Sequence, residues 1–547
     1  MSELFSVLKP PRSQGGEPCQ WPLLEGLPLA LALSSIAKRA GGLVLAICAD
    51  GYAARRLRDD LNHLGGPNAE LFPDLEVLPY DLYSPHPDLI SRRIEVLSQL
   101  SQQLDGILIV PVSALMQRLP PTRFVLGQSL DLRMGQTLDL SDFRVQLADA
   151  GYQPSDQVWQ PGQFALRGSI VDLWPMGTAT PFRIEWFDTE IESIRSFDAE
   201  TQRSIDKMDA LKLLPGREYP FDESARQEFR RRFRMRFDVD LRHATVYQDV
   251  GNGIQPQGLE QYLPLFFEHT ASLLDYLPEP NRLVLLDGVD TAMTGFSQQV
   301  EYRYEQRRGD LQRPALKPDE LYLQGSELLE HLRQHASVRM TRRQPAQASV
   351  STIEPLDLDH DSDHAGDWLQ SHPERILLAA DTPGRRELIA DNLKRIGIQP
   401  RLIDSWPAFV SGSDPLALAV LPFSSGCRLT EAGLSILTES ELFPGHSRTA
   451  RRKRKSGPDP ENLVRSLADL QTGALVVHLE HGIGRYLGLE VLNIGDTTGE
   501  YLTLEYAGSD KLYVPVTDLH LVSRYTGAEP DAVVLNQLGS DRWRKTR

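Results

Sequence analysis

The sequence predicts a multidomain α/β protein that ends in a small β-barrel. Three observations carry that expectation. Over residues 1–126 and 214–336, short buried apolar runs alternate with segments of helical spacing. Over 127–213 the texture changes to antiparallel strands with tight turns. Residues 475–525 then read as consecutive short strands, with alternation, β-branched and aromatic residues, and Gly, Asp and Ser at the turns.

The elements follow in order. GGLVLAICADG (41–51) reads as a buried strand ending in a turn, and YAARRLRDDLNHL after it has helical spacing. AELFPDLEVLPYD and DGILIVPVSALMQ (105–117) each hold another strand. Buried apolar runs joined by helices imply a parallel sheet. FALRGSIVDLWPMG, PFRIEWFDTEIESIRSFD and DALKLLPGREYP mark 127–213 as an α+β insertion in this first domain. The domain resumes over 214–336 with helices and the strand NRLVLLDGVD. Residues 337–367 are polar and weakly patterned and are expected to be a linker or lead-in. A second, small α/β domain is expected over 368–445, a basic linker over 446–466, and a barrel of the Tudor or SH3 type over 467–547.

Bulk properties narrow the classes. A chain of 547 residues with 41% hydrophobic residues can bury several cores. Its apolar runs are far shorter than a membrane span, and its N-terminus lacks a signal-peptide pattern. The expectation is a cytoplasmic protein with no membrane partner. Cys19, Cys48 and Cys427 are scattered, which argues against a disulfide framework or a zinc site. A net charge of −17 excludes a non-specific nucleic-acid coat and favours protein partners.

No catalytic constellation emerges. A phosphate loop needs GxxxxGK[ST], whose glycines admit the phosphates and whose lysine neutralises them. The corresponding stretch is LLEGLPLALALSSIAKRA (23–40), which keeps Gly26 but has no Gly-Lys-Thr. The strand ending at Asp287 continues with Gly288 and Val289 instead of the acidic residue that would help to hold magnesium. The carboxylates Asp357, Asp359, Asp361 and Asp363 resemble the start of a calcium loop, but Ser362 and Trp368 occupy its critical glycine and glutamate positions. His478 and His481 straddle a strand end, and GIGRYLG (482–488) lacks a third dinucleotide-loop glycine and is expected to be a turn. In RRRFRMRF (230–237) the apolar residues are expected to cover a core and the arginines to face solvent, with DNA contact as the alternative. RRKRK (451–455) reads as a solvated linker tract, with phosphate or acidic-protein contact as the alternative. Arg167 and Arg183 among strand residues, with Phe187 close by, have the composition of a protein-binding hot spot.

These motifs carry a resemblance. GQFALRGSIVDLWPMG and PFRIEWFDTEIESIRSFD resemble the UvrA-binding domain of the excision-repair protein UvrB, and the flanking α/β segments resemble UvrB's first domain without its phosphate loop. VVHLEHGIGRYLGLE and GEYLTLEYAGSDKLYVPVTDLHLVSRY resemble the polymerase-interacting module of CarD-like regulators. In this order, and with LPYDLYSPHPDLISRR (78–93), they resemble the N-terminal half of the Mfd family of bacterial transcription-repair coupling factors.

The resemblance implies a degenerate helicase-like α/β domain with an inserted UvrA-binding domain. It implies a non-catalytic, monomeric adaptor that binds UvrA through Arg167, Arg183 and Phe187. It also implies a contact between the RNA polymerase β subunit and the barrel strand at Glu490, Val491 and Leu492. The family is an ATP-dependent DNA translocase whose motor follows the barrel. This chain is therefore expected to be a fragment without that motor, which would bind the ATP, the Mg2+ and most of the DNA. No cofactor is expected in the fragment itself. The alternatives are a UvrB-like DNA helicase or repair enzyme and a CarD-like transcription regulator without a repair role.

Overall fold

The computed structural model describes residues 19–443 except 103–104, 128, 280, 335–336, 342–349, 352, 354–355, 357 and 359–361. Beyond these it describes 475–478, 482–494, 497–515 and 522–524. The chain divides into two compact units, one essentially 1–351 and the other essentially 352–547. It is a multidomain α/β protein with parallel and antiparallel sheets.

The first unit is built on a parallel sheet. Its strand order is Cys19–Pro22, Ser337–Thr341, Asn281–Leu285, Leu43–Cys48, Gly106–Pro111, Ala69–Leu71. Leu43–Cys48 and Gly106–Pro111 are buried at every residue, which is why they read as unbroken apolar runs. Each such Leu, Ile or Val contributes roughly 1.5–3 kcal/mol of transfer free energy.

The linker expected over 337–367 is corrected at both ends. Ser337–Thr341 is an interior strand, hydrogen-bonded on both sides. Its Arg339 also meets Asp290 at 2.5 Å. In the second unit, Leu356 and Leu358 are buried, and their N–H groups donate to the Glu441 and Leu442 carbonyls. Residues 362–371 open that unit as a helix, Ser362–Ser371. The basic linker 446–466, with its 451–455 tract, lies outside the described residues, as do His481 and Asp357, Asp359 and Asp361.

The α+β insertion leaves and re-enters the first unit through one neck. Leu130–Arg133 pairs antiparallel with Ala210–Leu213, so entry and exit lie side by side. The insertion sits on the helix Pro87–Leu100. Met176 and Leu214 pack on Ile90 and Ile94, and the Gly177 N–H donates to Ser91 Oγ at 2.8 Å. Below them, buried Arg93 donates from Nε to Glu218 Oε1 at 2.7 Å and from Nη1 to the Pro73 carbonyl at 2.9 Å. Its guanidinium also lies 4.4 Å from the Phe72 ring centroid. Each nitrogen of the guanidinium thus has an acceptor, with Nη2 reaching Glu218 Oε2 at 3.5 Å, and a buried charge persists when it is paired in this way.

The second unit has a parallel sheet in which Arg375–Ala380 lies between Leu416–Val420 and Leu434–Thr438. It also contains an antiparallel sheet ordered Lys511–Pro515, Thr497–Glu505, Gly482–Ile494, Leu475–His478, Val522–Arg524. GIGRYLG, expected as a turn, is the start of the long strand Gly482–Ile494. Its one irregularity lies between Tyr486 and Gly488, where Gly488 takes φ +135°. The run is strand because it pairs with Leu475–His478 on one side and Thr497–Glu505 on the other, and Gly484 marks a close approach rather than a turn. A Cβ there would stand 3.0 Å from the buried Tyr506 ring.

Candidate docking sites

The insertion sheet has strands Gln153–Pro154, Gln163–Arg167, Ile170–Leu173, Phe182–Phe187, Glu190–Phe197 and Ser204–Met208, in sequence order across it. Strand alternation divides its side chains between two faces. One face holds Phe164, Val171, Leu173, Ile184, Trp186 and Ile194, packed with Phe143 and Leu147 of the helix Leu140–Asp149. The Phe143 and Trp186 ring centroids are 5.3 Å apart, and Trp186 Nε1 donates to the Leu138 carbonyl at 2.9 Å. The helix starts where Asp139 accepts from the Ser141 N–H at 2.8 Å.

The other face carries the charges. Register places Arg167 opposite Ile170, and Ile170 opposite Glu185. Asp172 lies opposite Arg183, and Arg183 opposite Arg195. Phe187 is two residues beyond Glu185 on the same strand and so shares this face. The three residues singled out in the sequence are thus brought to one side of one sheet, but in different states.

Arg183 is committed within the sheet. Its Nε and Nη2 donate to Asp172 Oδ1 and Oδ2 at 2.7 and 2.9 Å, and Nη1 reaches the Gln202 carbonyl at 3.4 Å. Its guanidinium also lies 4.8 Å from the Phe197 centroid. The hydrogen bond to buried Asp172 raises its already high pKa further. A bidentate fork of this kind fixes both side chains. Arg195, the like charge directly across from it, is balanced by Glu185 at 3.5 Å.

Arg167 and Phe187 point outward. Arg167 is exposed and holds a single backbone acceptor, the Asp156 carbonyl at 3.0 Å. It ends its strand at a two-residue hairpin, where Gly168 takes φ +66° with nothing near its absent side chain. Phe187 is 74% exposed. It too ends its strand at a hairpin, where Asp188 adopts φ +56°. Sequence reasoning missed Trp159, 58% exposed in the loop whose Asp156 carbonyl Arg167 holds. A Trp two residues before Pro-Gly in VWQPGQ was the available signal.

The second site is a strand edge. Leu475–His478 pairs with Gly482–Ile494 only as far as Arg485. From Tyr486 onward, among the described residues, the long strand has a partner on one side alone. On that side Glu490 pairs with Tyr501, Val491 with Glu500 and Leu492 with Gly499. Glu490 Oε1 lies 3.9 Å from Lys511 Nζ. Leu475, Val476, Tyr486, Leu502, Leu504, Tyr506, Val514 and Val522 are buried in this sheet's core.

At the position of a phosphate loop, Gly26 (φ +58°) precedes the helix Leu27–Ala40. Pro28 in its first turn has no N–H to offer an anion, and Leu27, Leu29, Ala30 and Leu31 are buried. Among the described residues no three His, Cys, Asp or Glu side chains gather as a metal site, and no helix is long and apolar enough to cross a membrane.

Comparison with known proteins matches three domain families. Residues 130–219 match the UvrB interaction domain, 368–442 the MFD D3 domain, and 470–526 the CarD-like/TRCF RID domain. The transcription-repair-coupling factor of Haemophilus influenzae is 36% identical over 530 residues, covering 95% of this chain and 46% of that protein. That of Escherichia coli is 37% identical over 543 residues, with 96% and 46% covered. The Bacillus subtilis factor is 28% identical over 562 residues, again with 96% and 46% covered. The chain thus spans about half the length of these relatives. With the three domains in this order, it belongs to the family of transcription-repair-coupling factors and corresponds to their N-terminal half.

Proposed function

We propose that this chain is a non-catalytic adaptor of transcription-coupled nucleotide excision repair. It binds UvrA through the insertion and the RNA polymerase β subunit through the C-terminal sheet. The observation that carries the proposal is the asymmetry of the insertion sheet. One face is sealed by its helix, while the other offers an exposed arginine and a 74% exposed phenylalanine at adjacent hairpins. An exposed aromatic held at a strand end beside a fixed cation is the composition of a binding hot spot.

Within this reading Arg167 and Phe187 touch UvrA. Arg183 acts through Asp172 by holding the strand that presents Phe187. The edge of Gly482–Ile494 at Glu490, Val491 and Leu492 accepts a polymerase β strand by backbone pairing. That sheet is the core of the Tudor-like barrel. The first α/β body is a helicase-like scaffold that no longer binds ATP, as Pro28 and the apolar first turn of its helix support. ATP, Mg2+ and translocation along DNA belong to the remaining half of the full-length protein. The adaptor works as a cytoplasmic monomer.

The test is capture of purified UvrA and polymerase β on the immobilised chain. Arg167→Ala with Phe187→Ala removes UvrA and leaves polymerase. UvrA capture undiminished by the double substitution overturns the assignment.

A further inference from the structure

Neither docking site uses the helix Glu223–Arg236, which concentrates six arginines and two glutamates in a chain of net charge −17. Its inner side is ordinary core: Ala225, Phe229 and Phe233 are buried among Tyr247, Val250 and Phe266. The outer arginines divide into two groups. Glu228 takes Arg231 and Arg232, both at 2.5 Å, and Glu320 takes Arg236 at 2.6 Å. The Arg231 and Arg232 hydrogen bonds pull the Glu228 pKa down to about 2.

The second group is a row. Arg226, Arg230 and Arg234 stand four residues apart, so they share one face at a pitch of about 6 Å along the axis. Arg226 meets Glu223. Among the described residues, no carboxylate lies within ion-pair distance of Arg230 or Arg234. Arg230 lies over the Tyr247 ring, 4.8 Å from its centroid, and Arg234 Nη1 donates to the Tyr247 hydroxyl at 3.5 Å. Two glycines leave room for this bed. A Cβ on Gly251 would stand 3.2 Å from Arg230 Nε, and one on Gly253 would clash with Arg226 Nη1 at 2.3 Å. The guanidiniums are therefore laid down on an aromatic and glycine floor, which restricts their freedom before any ligand arrives.

We propose that this row, centred on Arg230 and Arg234, is a contact for the phosphate backbone of duplex DNA. A line of cations at regular pitch suits regularly spaced phosphates, and arginine forks suit phosphate oxygens. Single strands are bound on exposed aromatic platforms. Here Phe229, Phe233 and Tyr247 are all buried, so bases have nothing to stack on. The contact positions DNA without reading its sequence.

The test is fluorescence anisotropy of a mixed-sequence 20-base-pair duplex on the full chain at several salt concentrations. The chain is compared with Arg230→Gln/Arg234→Gln. Losing two phosphate contacts flattens the slope of log K against log salt by about 1.8. Between about 50 and 200 mM salt the variant then loses about tenfold less affinity than the parent. Arg230→Lys/Arg234→Lys keeps most of the slope, and Arg231→Gln, which removes a paired arginine, changes it little. Equal slopes for parent and Gln variant, with both folded by circular dichroism, overturn the proposal. So does tighter binding of a single strand of the same length, or equal displacement of the duplex by polyglutamate.

Discussion

The two docking regions differ in what they offer a partner. The insertion offers side chains on one face of a sheet whose other face is sealed by a helix. The C-terminal sheet offers a strand edge, where the long strand runs past its neighbour at Arg485. A face is specified by which residues alternate outward, so single substitutions remove it. An edge is specified by backbone donors and acceptors, so it tolerates most substitutions and fails when pairing is blocked. Under the proposed function the two partners would be held by recognition chemistry that is not shared.

The largest effect that sharpens this contrast is on the face. Arg167→Ala with Phe187→Ala is expected to weaken UvrA binding about a thousandfold, two hot spots of about 2 kcal/mol each, with polymerase binding unchanged. Titration calorimetry against both partners measures it. Next is the edge. Leu492→Arg puts a charge on the strand edge, the kind of substitution that blocks edge-to-edge pairing, and is expected to weaken polymerase β binding about a hundredfold. UvrA binding should hold. Loss of both in the same variant would mean misfolding and would break the contrast.

Arg183→Ala separates presentation from contact. It strands the buried Asp172 carboxylate and is expected to cost about 3 kcal/mol of stability, read by urea unfolding. Asp172→Asn with Arg183→Gln restores much of that stability, because no charge is left unpaired. If Arg183→Ala abolishes UvrA binding without lowering stability, Arg183 is a contact instead. The smallest effect is expected from Trp159→Ala, about fivefold on UvrA affinity, about 1 kcal/mol for a peripheral aromatic.

The face was far more legible in the sequence than the edge. PFRIEWF alternates, so the outward position of Phe187 is what period two predicts, whereas FALRGSIVDL has no such alternation and the place of Arg167 rests on the resemblance. What did not follow was the state of Arg183. Its fork depends on the register of Asp172 against Arg183, and register is set by hairpin geometry that alternation leaves open. The strand Ser337–Thr341 was hidden for a related reason. SVRMT looks polar by itself, and its neighbour Cys19–Pro22 comes from the far end of the first unit's sequence. Trp159 escaped because loops carry no period, and its exposure depends on how Arg167 and Gln163 tie that loop down. The strand at Glu490–Leu492 is placed by the resemblance alone, and that it is unpaired on one side among the described residues comes from the end of pairing at Arg485, a fact of topology with no residue signature.

The central claim is that one chain holds two partners through independent chemistries. It is tested most directly by loading the immobilised chain with polymerase β and then titrating UvrA. The account predicts a ternary complex in which the UvrA dissociation constant is the same with and without polymerase. Competition between the two partners, or joint loss of both from Phe187→Ala, would contradict it.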